Sequence, residues 1–234
     1  MDQIFDFSYA FQPIININSK TIFSVEALIR SKNNESIGFI FEQVESDKLF
    51  ELDQIARNKA IKMAASLHLS TALNLNFLPA SLTSPYYLEQ TLIAFKNEHL
   101  RADQLIIEIT EAQAVNEPES LIVNLADCRR QGSKIAIDDF GAGYAGLNLL
   151  AEFQPDFIKL DMKLIRNIDK HGPRQAIVQA IIQVCFSLGI EVIAEGVETL
   201  AEFSWLKKHD IELFQGYLFA KPGFECIPPV HYPL

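Results

Sequence analysis

Polar residues that could bind a metal ion, a phosphate or a proton recur in this sequence directly after short apolar runs. The run Leu105–Ile107 ends at Glu108, for example, and the run Val192–Ala194 ends at Glu195. Seven such endings occur along the chain, formed by Glu26, Asn74, Glu108, the pair Asp138 and Asp139, Lys159, Glu195 and Gln215. One ending could arise by chance, whereas seven indicate a single shared site.

Five of these residues are carboxylates, which would repel one another and raise each other's pKa if they met without a counter-charge. A divalent cation would resolve that conflict. Carboxylate oxygens, an amide oxygen from Asn74 and the lack of Cys or His ligands favour Mg²⁺ or Mn²⁺ over Zn²⁺. Beside so many acids, Lys159 should stay cationic, and it could orient a water or hold a phosphate.

The adjacent acids Asp138 and Asp139 indicate a pair of cations. Successive strand residues point to opposite faces, so both side chains can reach one site only if the strand ends there and turns. Gly141 and Gly143 follow directly and allow such a turn. A shared carboxylate with a neighbour on each side can hold two metals roughly 3.5–4 Å apart, which suits phosphoester hydrolysis.

The elements that would position these residues alternate between strand and helix. The chain opens with two predicted strands, Ala10–Ile17 and Thr21–Ile29, separated by the turn-rich residues 18–20. Further strands are predicted at 71–77, 104–110, 134–138, 156–160, 190–194 and 211–215, and helices at 39–67, 85–97, 118–131, 145–152, 173–188 and 199–208. Helical connections are typical of parallel strands. The sequence therefore predicts an α/β fold, a (β/α)8 TIM-like barrel with one antiparallel strand, whose site lies at the C-terminal rim.

Length and charge narrow the class of protein. The 234 residues suit one barrel-sized domain, with residues 1–9 as a leader or linker and 223–234 as a C-terminal tail. The net charge of −10 argues against duplex nucleic acid as a partner. No apolar stretch approaches the roughly 18–20 residues that span a bilayer, and the N-terminus lacks the basic start of a signal peptide. We therefore expect no membrane segment and a cytoplasmic location.

Seven segments together resemble the EAL phosphodiesterase domains that hydrolyse cyclic di-GMP. They are EALIR at 26–30, NLN at 74–76, EITE at 108–111, DDFGAGY at 138–144, IKLD at 158–161, AEGVE at 194–198 and QGY at 215–217, in the family's order. The chain looks similar to the EAL domains fused to blue-light BLUF sensors, although this sequence contains no BLUF segment. The resemblance runs from residue 11 to about 222 and implies the same barrel that the strand pattern predicts.

The resemblance also implies an activity and a set of roles. It implies hydrolysis of cyclic di-GMP to linear pGpG with two Mg²⁺ or Mn²⁺ ions, inhibited by Ca²⁺. Glu26, Asn74, Glu108 and Asp138 match the ligands of one ion, and Asp138 and Asp139, with Glu195 close by, match those of the second. Lys159 matches the residue that helps to hold the attacking water, so that Lys159, Glu195 and Asp139 are the expected catalytic residues.

Other matched residues imply contacts around the metals. Arg30 matches a contact to a substrate phosphate, and Leu28, Gln12 and Gln215 are further expected substrate contacts. Glu111 matches a glutamate that steadies the loop at 139–144, which in this family couples metal binding to dimer contacts. A homodimer is therefore expected.

The chain departs from the family pattern at three places. Ser31 stands where many members have Trp, Asn76 stands where Ser is more usual, and the stretch between Arg30 and Asn74 is short. We expect these departures to affect guanine packing and affinity rather than the metal chemistry.

Two other functions stay open on the sequence. A catalytically weak EAL domain could act as a cyclic di-GMP receptor or as a protein-interaction module. An unrelated barrel enzyme such as an enolase-type lyase would need a Lys or His base, and only Lys159 is available for that role.

Overall fold

Short apolar strands alternate with helices through the part of the chain that the computed structural model describes, residues 7–35, 46–82, 84–110, 118–142 and 146–233. The strands are β1 Phe7–Asn16, β2 Thr21–Ser31, β3 Ala72–Asn76, β4 Leu105–Thr110, β5 Lys134–Phe140, β6 Phe157–Leu160, β7 Glu191–Ala194, β8 Leu213–Phe214 and β9 Gly223–Phe224. The first eight lie close to the strands predicted from the sequence. β1 begins at Phe7, inside the stretch expected to be a leader or linker, and β9 lies within the expected tail.

The sheet closes on itself through its first strand. Neighbouring strands from β2 to β8 pair in parallel, and β1 pairs antiparallel with both β2 and β8. β9 adds to β1 outside the eight-stranded ring. The prediction of a TIM-like barrel with one antiparallel strand is therefore confirmed. In such a barrel the ends of the parallel strands meet at one rim, where catalytic groups from several strands can meet.

Helices connect most of the parallel strands. They are α1 Ser46–Ser66, α2 Pro79–Leu82, α3 Pro85–Asn97, α4 Pro118–Arg130, α5 Gly146–Glu152, α6 Met162–Ile165, α7 Gly172–Leu188 and α8 Leu200–Lys208. The helix predicted from residue 39 begins at Ser46 in the described part, since residues 36–45 lie outside it. Capping follows the sequence signals: α7 ends at Gly189 with a φ of 71°, and Thr199 forms a capping box with Glu202 before α8. Within the described residues, no helix combines the length and the apolar character that crossing a bilayer requires.

A small apolar cluster lies directly beneath the predicted site residues. Its buried members are Ile14, Ile106, Ala136, Phe157, Ile193 and Leu213, which pack apart from the larger core between sheet and helices. On five of the parallel strands, β4 to β8, the buried cluster residue comes two positions before the site residue, as Ile106 does before Glu108, whereas Ser24 holds that position before Glu26. Because side chains alternate along a strand, residues two apart share a face. The cluster therefore fills the barrel interior directly below the polar residues.

Replacing Ile106 by alanine tests how much this apolar cluster stabilises the fold. We expect the free energy of unfolding to fall by about 3 kcal/mol, because truncation of a buried isoleucine leaves a cavity. The matched control is Ile177→Ala on α7, where the side chain is 49% exposed, and the change there should stay below about 0.5 kcal/mol. Urea unfolding measures both values, and equal losses would contradict this placement of the core.

Candidate metal centre

The ammonium group of Lys159 lies at the centre of the polar cluster and is completely buried. Lys159 is the next-to-last residue of β6, and four carboxylates from four other strands or strand ends surround its Nζ. The distances are 2.7 Å to Glu195 Oε1, 2.8 Å to Glu108 Oε1, 3.0 Å to Asp138 Oδ1 and 3.4 Å to Glu26 Oε2. The structure thus brings together the residues that the strand-end pattern assigned to one site.

Asp138 and Asp139 both reach this centre because the strand is irregular at their position. The pairing of β5 with β6 shifts register between Ile137 and Phe140, and Asp139 has a positive φ of 54°. Gly141 follows with a φ of 92°, in a region where L-residues are strained. The turn expected from the sequence therefore occurs within the strand, and it aims two successive carboxylates at one site.

The carboxylates form two groups that share one member. Oxygens of Glu26, Glu108 and Asp138 lie within 4.8 Å of one another, and so do oxygens of Asp138, Asp139 and Glu195. This is the oxygen-rich donor set that hard divalent cations such as Mg²⁺ and Mn²⁺ prefer. The arrangement agrees with the predicted grouping, in which Asp138 belongs to both sets.

Amide side chains complete the first group. Asn74 Nδ2 donates to Glu108 Oε1 at 2.8 Å, while Asn74 Oδ1 is buried and has no hydrogen-bond partner among the described residues. A buried oxygen without a partner is costly in a folded protein. A cation held with Glu26 and Glu108 would satisfy it, so the donor set fits a metal ion.

Burial and mutual repulsion shift the proton affinities of these groups. Burial raises the pKa of both Glu108 and Glu195 well above the usual range; nearby carboxylates raise it further, and Lys159 opposes the shift. Burial, Asp138 and Asp161 raise the pKa of Asp139 to about 6. For Lys159, burial lowers the pKa, but the surrounding carboxylates outweigh it and hold the pKa well above its ordinary value. Lys159 is therefore cationic, as the sequence predicted.

The predicted substrate contacts fall into two places. Leu28 and Arg30 line a cavity of about 330 Å³ next to the carboxylates, together with Asn76 and Thr110. Arg30 is half-buried, and its Nη1 donates to the carbonyl of Ile29 at 2.8 Å. This cavity has room for part of a ligand, and Asn76, which lines it and also donates to Glu26 and Glu108, connects it to the candidate metal centre.

Gln12 and Gln215 form a buried pair on the other side of Glu26. Gln215 Nε2 donates to Glu26 Oε2 at 2.7 Å and lies 3.3 Å from Gln12 Oε1. Gln12 Nε2 donates in turn to the carbonyl of Ala220 at 3.1 Å. These contacts orient Glu26, and direct substrate contact by either glutamine stays a prediction. Glu111, predicted to steady the loop after Asp139, lies outside the described residues.

Two residues that the sequence did not assign to the metal centre lie in or beside it. Asp161 caps α6 by accepting from the backbone N–H of Lys163 at 2.6 Å, and it hydrogen-bonds to Asp139. Asn76 Nδ2 donates to Glu26 Oε1 at 3.2 Å and to Glu108 Oε2 at 3.4 Å. The spacing of two from Asn74 was the available sequence signal for Asn76, since it places both amides on one face of β3.

Comparison with known proteins decides the family. Residues 4–222 match the family model described as EAL domain. The chain belongs to the EAL domain family. Among solved structures, a standalone EAL protein from Vibrio cholerae O395, described as the c-di-GMP bound form, has 43% identity and a TM-score of 0.91, with 99% of this chain and 97% of that chain covered. The manganese/cy-diGMP complex of Klebsiella pneumoniae BlrP1 at pH 9.0 has 38% identity and a TM-score of 0.93, covering 100% of this chain and 60% of that one.

Curated relatives within the EAL family have different names. The blue light- and temperature-regulated antirepressor BluF of Escherichia coli K12 is 37% identical over 227 residues, which is 96% of this chain and 56% of BluF. Cyclic di-GMP phosphodiesterase PdeR of the same strain is 33% identical over 210 residues, which is 85% of this chain and 31% of PdeR. The chain thus spans about half or less of these proteins, whose names include both a phosphodiesterase and an antirepressor.

The stability of this EAL domain without a cation should fall as the pH rises. The carboxyls of Glu108, Glu195 and Asp139 have higher pKa values folded than unfolded. A carboxyl group whose pKa is higher in the folded state stabilises the fold when the pH is below its unfolded pKa, which is near 4.5 for Glu. That stabilisation is lost as the pH rises through the folded pKa. We therefore expect the Tm in EDTA to fall between about pH 5 and pH 8.

Calorimetric or dye-based melting curves measure this dependence. Mn²⁺ at pH 8 should restore most of the lost Tm, because it supplies the missing counter-charge. The Glu108→Gln variant removes one buried charge and should show a shallower fall in EDTA. A Tm in EDTA that rises from pH 5 to pH 8 would contradict this description of the centre.

Proposed function

We propose that this EAL domain is a metal-dependent phosphodiesterase that hydrolyses cyclic di-GMP to linear pGpG. The observation that carries the proposal is the pair of carboxylate groups that share Asp138, because two-metal phosphoester hydrolysis needs two cations held close together. Relatives named cyclic di-GMP phosphodiesterases and solved relatives described as cyclic di-GMP complexes support the choice of substrate.

The residues of the centre divide naturally between two ions. Glu26, Asn74, Glu108 and Asp138 would hold the first ion, and Asp138, Asp139 and Glu195 would hold the second. When bound, Mg²⁺ or Mn²⁺ ions lower the pKa of an attacking water and neutralise charge on the phosphate. The BlrP1 complexes described with manganese and with calcium support a divalent-cation site, and we propose that Ca²⁺ binds here without supporting turnover.

Lys159 and Asp139 have complementary roles in handling the water. A lysine whose pKa is held well above its ordinary value can donate hydrogen bonds to water but cannot take its proton. A carboxylate must accept that proton, and Asp139, which shares the second carboxylate group with Asp138 and Glu195, is our candidate. Glu195 Oε1 lies 2.7 Å from Lys159 Nζ and fixes the position of the ammonium group.

The substrate would lie across the cavity beside the centre. Arg30 would pair with the phosphate that is not cleaved, and Leu28 would pack against the nucleotide at the same wall. Because the chain carries a net charge of −10, the cations and Arg30 together must offset repulsion of an anionic substrate. The homodimer and the cytoplasmic location expected from the sequence stay predictions.

Replacing Glu26 by alanine tests the metal assignment. We expect turnover of cyclic di-GMP in excess Mg²⁺ to fall by at least about 100-fold, since loss of a ligand should exceed the effect of losing an outer-shell partner. Glu51→Ala, at an exposed position of α1, is the matched control and should keep the wild-type rate. Chromatography of pGpG measures both. A Glu26→Ala variant with wild-type turnover would contradict the assignment.

A catalytically weak receptor or protein-interaction module is the second candidate, favoured by the relative named an antirepressor. Calorimetry with cyclic di-GMP in Ca²⁺, followed by a product assay in Mn²⁺, separates the two functions. We expect binding in Ca²⁺ and release of pGpG in Mn²⁺. Tight binding with no pGpG after hours in Mn²⁺ would instead identify a receptor.

A further inference from the structure

The four carboxylate oxygens of Glu26 and Glu108 are divided between two sides of the centre. Lys159 approaches Glu26 Oε2 and Glu108 Oε1, at 3.4 and 2.8 Å. Asn74 and Gln215 donate to the same two oxygens. The other two, Glu26 Oε1 and Glu108 Oε2, both face the side-chain amide of Asn76, at 3.2 and 3.4 Å. One NH₂ group therefore spans two carboxylates that repel each other.

The backbone holds Asn76 in this place. Asn76 pairs with Glu108 in the register between β3 and β4, and the next residue, Phe77, donates its N–H to the carbonyl of Glu108 at 2.9 Å. The buried ring of Phe77 also lies 4.1 Å from the guanidinium carbon of Arg57. These contacts fix the backbone of Asn76 at the end of β3, and from there its exposed side chain reaches both carboxylates.

We propose that Asn76 is a positioning residue that sets the rotation and spacing of Glu26 and Glu108 for cation binding. An amide nitrogen has two hydrogens, so it can donate to both carboxylates at once. Bonds from a neutral donor to a carboxylate are charge-assisted, and they offset part of the repulsion between the two acids. With Glu26 Oε1 and Glu108 Oε2 held by Asn76, the other oxygen of each side chain, Glu26 Oε2 and Glu108 Oε1, faces Lys159.

This role differs from the one expected on the sequence. The asparagine at 76, in place of the more usual serine, was expected to affect guanine packing rather than metal chemistry. In the structure the amide nitrogen of Asn76 donates to two carboxylates of the metal centre. The presence of asparagine instead of serine therefore affects the affinity for the cation. A serine has one hydroxyl hydrogen and cannot donate to both acids at once. The inference rests on the metal centre proposed above and adds a residue outside the proposed ligand set.

Calorimetric titration of Mn²⁺ into the substrate-free protein tests the role, since it needs no turnover. We expect Asn76→Leu, which keeps the volume but removes both donors, to weaken Mn²⁺ binding about tenfold, as loss of an outer-shell partner does. Asn76→Ser should weaken it by about threefold, because one donor remains. The control Asn58→Leu removes an amide that accepts from Gln54 on α1, and its Mn²⁺ affinity should match the wild type within about twofold.

The outcomes separate this inference from the metal centre itself. If the wild type binds no Mn²⁺, the proposed metal centre is wrong. If the wild type binds Mn²⁺ and both Asn76 variants bind it equally well or more tightly, the centre stands and the positioning role is wrong. Melting curves in EDTA exclude misfolding: a merely structural asparagine would lower the Tm of Asn76→Leu and leave the Mn²⁺ affinity unchanged.

Discussion

Repulsion among buried carboxylates around one lysine is the constraint on which the rest of the structure depends. Four carboxylates approach Lys159 Nζ within 3.4 Å, and one ammonium group cannot balance them if all are ionised. Burial strengthens that repulsion because the interior screens charge poorly. Burial is the main cause of the raised pKa values of Glu108 and Glu195, and the neighbouring carboxylates raise them further. A site so arranged binds either protons or divalent cations.

The barrel makes this crowding possible by a simple geometric rule. On β4 to β8 an apolar residue fills the interior, and the residue two positions later carries the polar group, as Ile193 and Glu195 do. The large apolar core between sheet and helices holds the strand ends in fixed positions despite their mutual repulsion. Amides from Asn74, Asn76 and Gln215 then engage individual carboxylate oxygens. The apolar residues that stabilise the fold and the carboxylates that repel one another thus lie in adjacent layers of the same strands.

Much of this arrangement could be predicted from the sequence, because a barrel brings the ends of its parallel strands to one rim. The polar residues that follow apolar runs therefore identified Glu26, Glu108 and Lys159, and the apolar patterns predicted the order of strands and helices. The sequence predicted a turn at Asp138 and Asp139 but not its form, a register shift within the strand, because the shift depends on pairing between β5 and β6. It also missed the bonds of Asn76 and the burial of Gln12 against Gln215, since both depend on distances between strands that are remote in sequence.

The proposed chemistry requires Asp138 to be shared between two bound cations. Electron paramagnetic resonance of the protein titrated with Mn²⁺ tests this sharing, because ions roughly 3.5–4 Å apart are magnetically coupled. We expect two Mn²⁺ to bind per chain and the second equivalent to produce the spectrum of a coupled pair. A spectrum that shows only isolated Mn²⁺ at saturation, or a stoichiometry of one, would contradict it.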